Sequence, residues 1–147
     1  MSMALTRPLL QARLYGEKAG DYQLVNEWAA LRGLPPLCET LLPPIGVIVE
    51  ADGMPTCALW CYESFGIGVC HLDVALGRPS APLCVQRLAF QFAIEACITL
   101  AKEHAKENGG AFDYFRCFTS EAVGRVLESL GWQCTSPPVQ QYSLYRP

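Results

Sequence analysis

The stretch from Val69 to Lys106 limits the fold more than any other part of the chain. It opens with VCHLDVAL, whose alternation turns Cys70, Leu72, Val74 and Leu76 to one side of a strand and Val69, His71, Asp73 and Ala75 to the other. A long helix follows from about Ala81 to Lys106, apolar around most of its circumference. Its polar stripe is confined to Arg87, Gln91, Glu95, Thr99 and Lys102, and so narrow a stripe requires packing on more than one side. A strand feeding a helix of this kind points to a layered α/β domain.

The flanking segments extend the same order. Leu9 to Tyr15 reads as an edge strand ending before Gly16. Asp21 is placed to cap a helix presenting Leu24, Val25, Trp28 and Leu31, which Gly33, Pro35 and Pro36 end. Leu37 to Leu42 reads as a short second helix, stopped by Pro43 and Pro44. The β-branched IGVIVE then predicts a strand, and Ala51 to Gly53 turns it into a hairpin partner from Thr56 to Tyr62. After the long helix, AFDYFRCF predicts a strand. TSEAVGRVLESLGW predicts a helix capped by Thr119 or Ser120 and closed at Gly131, and Gln140 to Tyr145 a last strand.

Composition narrows the setting. With 147 residues, 51% of them hydrophobic and 17% charged, the chain is expected to form one domain, residues 1–147, with ample material for a core. A net charge of −3 leaves no global field for phosphate backbones, so nucleic acid is not an expected partner. Apolar residues do not run for the roughly 18 positions that a membrane span needs, since Gln91 and Glu95 break Leu88 to Ala101. The Arg7 and Arg13 region lacks the apolar stretch of a secretory signal, so a cytoplasmic location is expected. The eight cysteines lie in apolar segments without a CxxC pair and read mainly as small buried hydrophobes. Cys57, Cys61, Cys70 and His71 have metal-ligand chemistry, but Cys57 and Cys61 would sit about 13 Å apart at roughly 3.3 Å per residue, so no metal is expected.

Taken in order, DYQLVNEWAALRGLPP, LLPPIGVIVEADGMP, HLDVALGRPSAP and TSEAVGRVLESLGW resemble the GNAT superfamily of N-acetyltransferases, most nearly its small members from bacteriophage genomes. The resemblance implies a mixed, mostly antiparallel sheet flanked by helices on both faces. It also implies that the fourth strand (Val69 to Leu76) and the fifth (Phe112 to Phe118) splay apart in a V that admits the pantetheine arm of acetyl-CoA. A host cytoplasm would be the setting of a phage-encoded member. The coenzyme pyrophosphate would sit on the loop GRPSAPLCVQR and the first turn of the long helix, where N–H donors lack helical partners.

That loop departs from the family pattern Q/R-x-x-G-x-G/A. No glycine follows Gly77, and Pro79 and Pro82 each remove a donor. Arg78, Arg87, the Ser80 hydroxyl and the N–H groups of Ala81, Leu83 and Cys84 are the expected compensation, with Ser80 as a plain helix cap the alternative. Against N-x-x-A-x-x-L-Y-x-x-x-G-F, the chain has Ser120, Val123, Leu127, Gly131 and Trp132. Ser120 thus joins the coenzyme set, while Leu127 stands where the family often places a tyrosine acid.

Direct acetyl transfer needs a neutral amine, alignment and donors for the developing oxyanion. The family draws the last from the main chain, here near Val74, Ala75 and Leu76. His71 and Asp73, two residues apart on one strand face, are the expected base and its orienting or steering carboxylate; packing of that face is the alternative. Tyr62 and Glu63 are lesser candidates, and Arg116 is read first as a surface residue and second as a coenzyme or substrate contact. Trp28, Trp60 and Trp132 read as core. The expected function is acetyl-CoA-dependent transfer to a small-molecule or protein amine, compatible with a homodimer. Its rival is an inactive GNAT-fold protein that binds a phage or host protein.

Overall fold

The computed structural model describes residues 6–117 and 119–135. Turn chemistry sets the element boundaries. Gly16 and Gly20, both at positive φ, separate β1 (Leu10–Leu14) from α1 (Asp21–Leu31). Asp52 and Gly53, at φ 51° and 79°, make the tight turn between β2 (Gly46–Ala51) and β3 (Met54–Ser64). A 3₁₀ turn at Phe65–Ile67 leads to β4 (Val69–Gly77), and α2 (Leu83–Glu107), β5 (Tyr114–Cys117) and α3 (Glu121–Ser129) follow. The strands lie in the order β1-β2-β3-β4-β5, antiparallel except for the parallel pair β4 and β5.

Helices cover both faces of this mixed sheet. On one side, Val25, Trp28 and Ala29 of α1 pack over Ile48, Ala58, Trp60 and Leu76. On the other, α2 lies across the centre of the sheet, with Val126 and Leu127 of α3 in the same cluster. Ala89, Ala93, Cys97, Ala101 and Ala105 recur every four residues along α2 and are fully buried, so small side chains let the helix lie close to the strands. Cys97 serves there as a small hydrophobe. Among the described residues α2 is the helix long and apolar enough to cross a membrane, and it is the core helix of this domain.

Several local expectations are corrected. Asp21 does not cap α1: Gly20 holds the cap position, and the Asp21 carboxylate instead accepts N–H bonds from Gly16 (3.0 Å) and Lys18 (3.3 Å). Leu37 to Leu42 forms only a 3₁₀ turn, Glu39–Leu41, because Leu42 before Pro43 is driven to extended backbone. Phe112 precedes β5 as a buried side chain, and the N–H groups of Asp113 and Tyr114 are bound by the Gly68 carbonyl before the ladder begins. The expected strand Gln140 to Tyr145 lies outside the described residues, as does Phe118.

Candidate active site

The parallel pairing of β4 with β5 runs from Val69/Tyr114 to Leu72/Cys117, while β4 itself continues to Gly77. Beyond Leu72, β4 has no ladder partner on that side among the described residues. The antiparallel register on the other side of β4 changes at the same place: Trp60 opposes Asp73 and Ala58 opposes Leu76. Val74 and Ala75 thus share one opposing position, Leu59, which is a β-bulge. Val74 sits at φ 55°, a left-handed conformation that is an outlier for a β-branched residue. The Asp73 carboxylate secures it by accepting the Val74 N–H at 2.7 Å.

The bulge overturns the simple alternation expected for this strand. Cys70 and Leu72 face α2, whereas Leu76 packs in the α1 cluster and Ala75 against the α2 cluster. Residues two apart across the bulge therefore do not share a face. His71 and Asp73, both before it, do, and they point to the α1 side with Tyr62, which opposes His71. Burial and the Asp73 charge push the Tyr62 phenol above its ordinary range.

Strain at Val74 is testable. A residue in such a region costs of order 1–3 kcal/mol. Val74→Asn, whose side chain tolerates left-handed backbone, is expected to leave stability unchanged or raise it by up to about 1 kcal/mol despite lost apolar contact. A urea midpoint lowered by the equivalent of more than about 1 kcal/mol would show that the backbone there is relaxed.

The loop between β4 and α2 is built by side chains. Ala81 N–H closes a turn onto the Arg78 carbonyl at 3.0 Å, so this expected coenzyme donor is already engaged. Pro82 rather than Ser80 holds the cap position of α2, and its carbonyl accepts the N–H groups of Val85 and Gln86. The N–H groups of Leu83 and Cys84 come ahead of these first bonds, at an exposed helix mouth. Arg78 donates to the Ser80 hydroxyl at 3.1 Å, while its Nε is buried without a partner. Arg87 and Ser80 are exposed beside them.

Two residues that the sequence reading passed over organise this loop. Gln86, buried at 8% exposure, donates to the carbonyls of Ala81 (2.7 Å) and Arg78 (3.1 Å). Arg32, just past α1, donates to Gln86 Oε1 (3.2 Å) and to the Gly77 carbonyl (2.9 Å). A Cβ at Gly77 would run into Gln86 Oε1, so a larger residue there displaces the side chain that holds this loop. A polar glutamine on an otherwise apolar helix face was the available signal for Gln86. Arg32 had none, lying 54 residues away.

Other candidates separate. Ser120 caps α3 through its backbone, with the Gly124 N–H on its carbonyl, and its side chain makes no cap bond. Leu127 is a core residue at 6% exposure. Glu63 faces the α2 side, opposite Tyr62, where its carboxylate meets His104 Nδ1 at 2.7 Å. Cys57, Cys61, Cys70 and Cys97 are buried, Cys38, Cys84 and Cys134 exposed. Mutual hydrogen bonding and burial push the Cys70 thiol up, and His71 leaves the opposite face of the sheet from Cys70, so these residues do not converge. Burial raises Cys117, which pairs with Leu72, to about 11.

No protein-family model matches the chain, and no curated protein sequence does. Solved structures do. A probable acetyltransferase superposes with TM-score 0.55 at 18% identity, covering 95% of this chain and 98% of the other. A predicted acetyltransferase with acetyl-CoA from Clostridium acetobutylicum gives TM-score 0.52 at 12% identity, with coverages of 91% and 96%. An aminoglycoside N-acetyltransferase in complex with CoA gives 0.51 at 16%, covering 92% and 95%. At such identities the likeness is one of architecture, and with the parallel β4–β5 pair, the mostly antiparallel sheet and helices on both faces, it gives this chain a GNAT-like fold.

Proposed function

We propose that the protein is an acetyl-CoA-dependent N-acetyltransferase that transfers directly to an amine. The observation that carries this is the strained bulge at Asp73–Ala75 in the fourth strand of a GNAT-like fold. Strain of this kind persists where the surroundings over-determine it, and it clusters at functional sites. The chain has groups that fit the coenzyme: a buried Arg78 Nε without a partner and the N–H groups of Leu83 and Cys84 suit a pyrophosphate, with Ser80 and Arg87 at the rim.

Bound coenzyme supplies an activated thioester. The Val74 N–H is held by Asp73, so the backbone donor for the developing oxyanion is the N–H of Ala75 at the same bulge. His71 takes one proton from the ammonium and passes it to solvent; the neutral nitrogen then bonds to the acyl carbon as the C–S bond breaks, and the second nitrogen proton ends on the departing sulfur. Thiols titrate near 8.5, so the sulfur leaves without the tyrosine acid that Leu127 replaces. Asp73, tied to the Val74 N–H, holds the bulge and offers negative charge to an incoming ammonium.

Melting with and without acetyl-CoA tests the coenzyme half: at 100 times the dissociation constant the protein gains about 2.7 kcal/mol. His71→Ala is expected to lower acetylation of an amine panel 10²–10⁴-fold while keeping that gain. No shift at millimolar coenzyme removes the proposal. A shift without acetylation of any amine favours a second reading, a binding protein on this fold, which the buried Leu127 and the proline-bearing loop support.

A further inference from the structure

The sheet face that carries His71 and Asp73 has a second charged pole. Arg116 stands beside His71 in the parallel register, so the two side chains leave the sheet on the same side. Tyr114, two positions earlier, shares that side, and the Arg116 guanidinium lies 5.1 Å from its ring centroid. A guanidinium held over a ring keeps N–H donors that can pair with a carboxylate or phosphate. Both residues are exposed, and no carboxylate among the described residues is paired with Arg116.

Asp73 fixes the opposite pole, because its bond to the Val74 N–H holds the carboxylate at the bulge. Two residues along β4 and one strand across separate the Cα atoms of Asp73 and Arg116 by about 8 Å. Arg116 lies against Tyr114, on the side away from Asp73, so the two charges stand apart. An ammonium alone would use one pole only.

We propose that the acceptor is an anionic amine, its nitrogen drawn to Asp73 beside the bulge and its carboxylate or phosphate held by Arg116. This rests on the acetyltransferase reading above. The transfer is the step already given, so Arg116 sets specificity and takes no part in bond making.

Matched acceptors test it in the full chain: 4-aminobutyrate against butylamine, phosphoethanolamine against ethanolamine, with putrescine as the dication. Each anionic amine is expected to exceed its neutral partner at least 10-fold in kcat/KM, and the better of the two anionic amines identifies the anion. Arg116→Ala should raise KM for the anionic amines about 10-fold and leave kcat and the neutral amines unchanged, while Arg116→Glu should turn preference toward putrescine. Equal use of neutral and anionic amines, or indifference to Arg116→Ala, overturns the proposal. If no amine is acetylated, the catalytic reading fails by itself, and calorimetric binding of the same amines decides the anion pole. Binding of either anionic amine that Arg116→Ala abolishes supports it, and no binding to the unsubstituted protein refutes it.

Discussion

Arg13→Ala is expected to remove about 3–5 kcal/mol of stability, the largest loss anticipated for a residue outside the apolar core. Arg13 makes a bidentate contact with Asp21 at 2.7 and 2.8 Å and reaches Glu50 with Nε at 2.9 Å, joining β1 to α1 and β2. The side chains are nearly enclosed, at 11% exposure for Arg13 and 5% for Asp21. Removing the cation strands a buried carboxylate, a far larger penalty than the loss of a surface pair. Burial pushes the Asp21 carboxyl up, but Arg13 and the N–H groups of Lys18 and Gly16 more than reverse this, and it titrates below the ordinary range. Hydrogen bonds from Lys18 and Arg13 likewise hold Glu50 low.

The sign of the pH dependence follows. Carboxyls with depressed folded-state pKa contribute stability above their unfolded values near 4, and lose it as pH falls through the folded values. In Arg13→Ala the lowering due to Arg13 is lost, while burial of Asp21 and its bonds from the Gly16 and Lys18 N–H groups remain, so acid should harm the variant less than the parent. Urea midpoints should differ most at pH 7 and converge toward pH 4. A difference that stays constant over that range would show that the ion pair is not the source of the loss.

Gly46→Ala should cost about 3 kcal/mol by overpacking. An added Cβ would run into the indole of Trp60, which is fully buried, opposes Gly46 in the ladder and meets the edge of Tyr15 at 5.0 Å between centroids. The ring has no solvent side to move toward. Trp60→Leu is itself destabilising, but on that background Gly46→Ala should cost under about 1 kcal/mol, a coupling that denaturant titration of the four proteins would read. Equal costs on both backgrounds would place the strain elsewhere.

The strands and helices of this chain were legible because glycines, prolines and apolar periodicity mark them locally: Gly16, the Asp52–Gly53 turn and Pro43–Pro44 each fall where the backbone changes course. The bulge in β4 was not legible, since VCHLDVAL reads as unbroken alternation and nothing local marks Val74, a β-branched residue, for a left-handed conformation. Only the register imposed by β3 puts it there. His71 and Asp73 were found as a pair on one face because both precede the bulge. Glu63 and Tyr62, neighbours in sequence, were sorted to opposite faces by the same pleat. The Arg32–Gln86 contact joins distant segments, and such pairings have no local signature.

That contact bears on how a ligand would be received. A glycine-rich turn offers intimate approach but must surrender its freedom when occupied, an ordering cost charged against affinity. Here Gln86 and Arg32 have already fastened the Gly77–Ala81 stretch from two helices, and two prolines stiffen it further. Guests would meet a rigid doorway, trading closeness of fit for a smaller entropic toll on arrival.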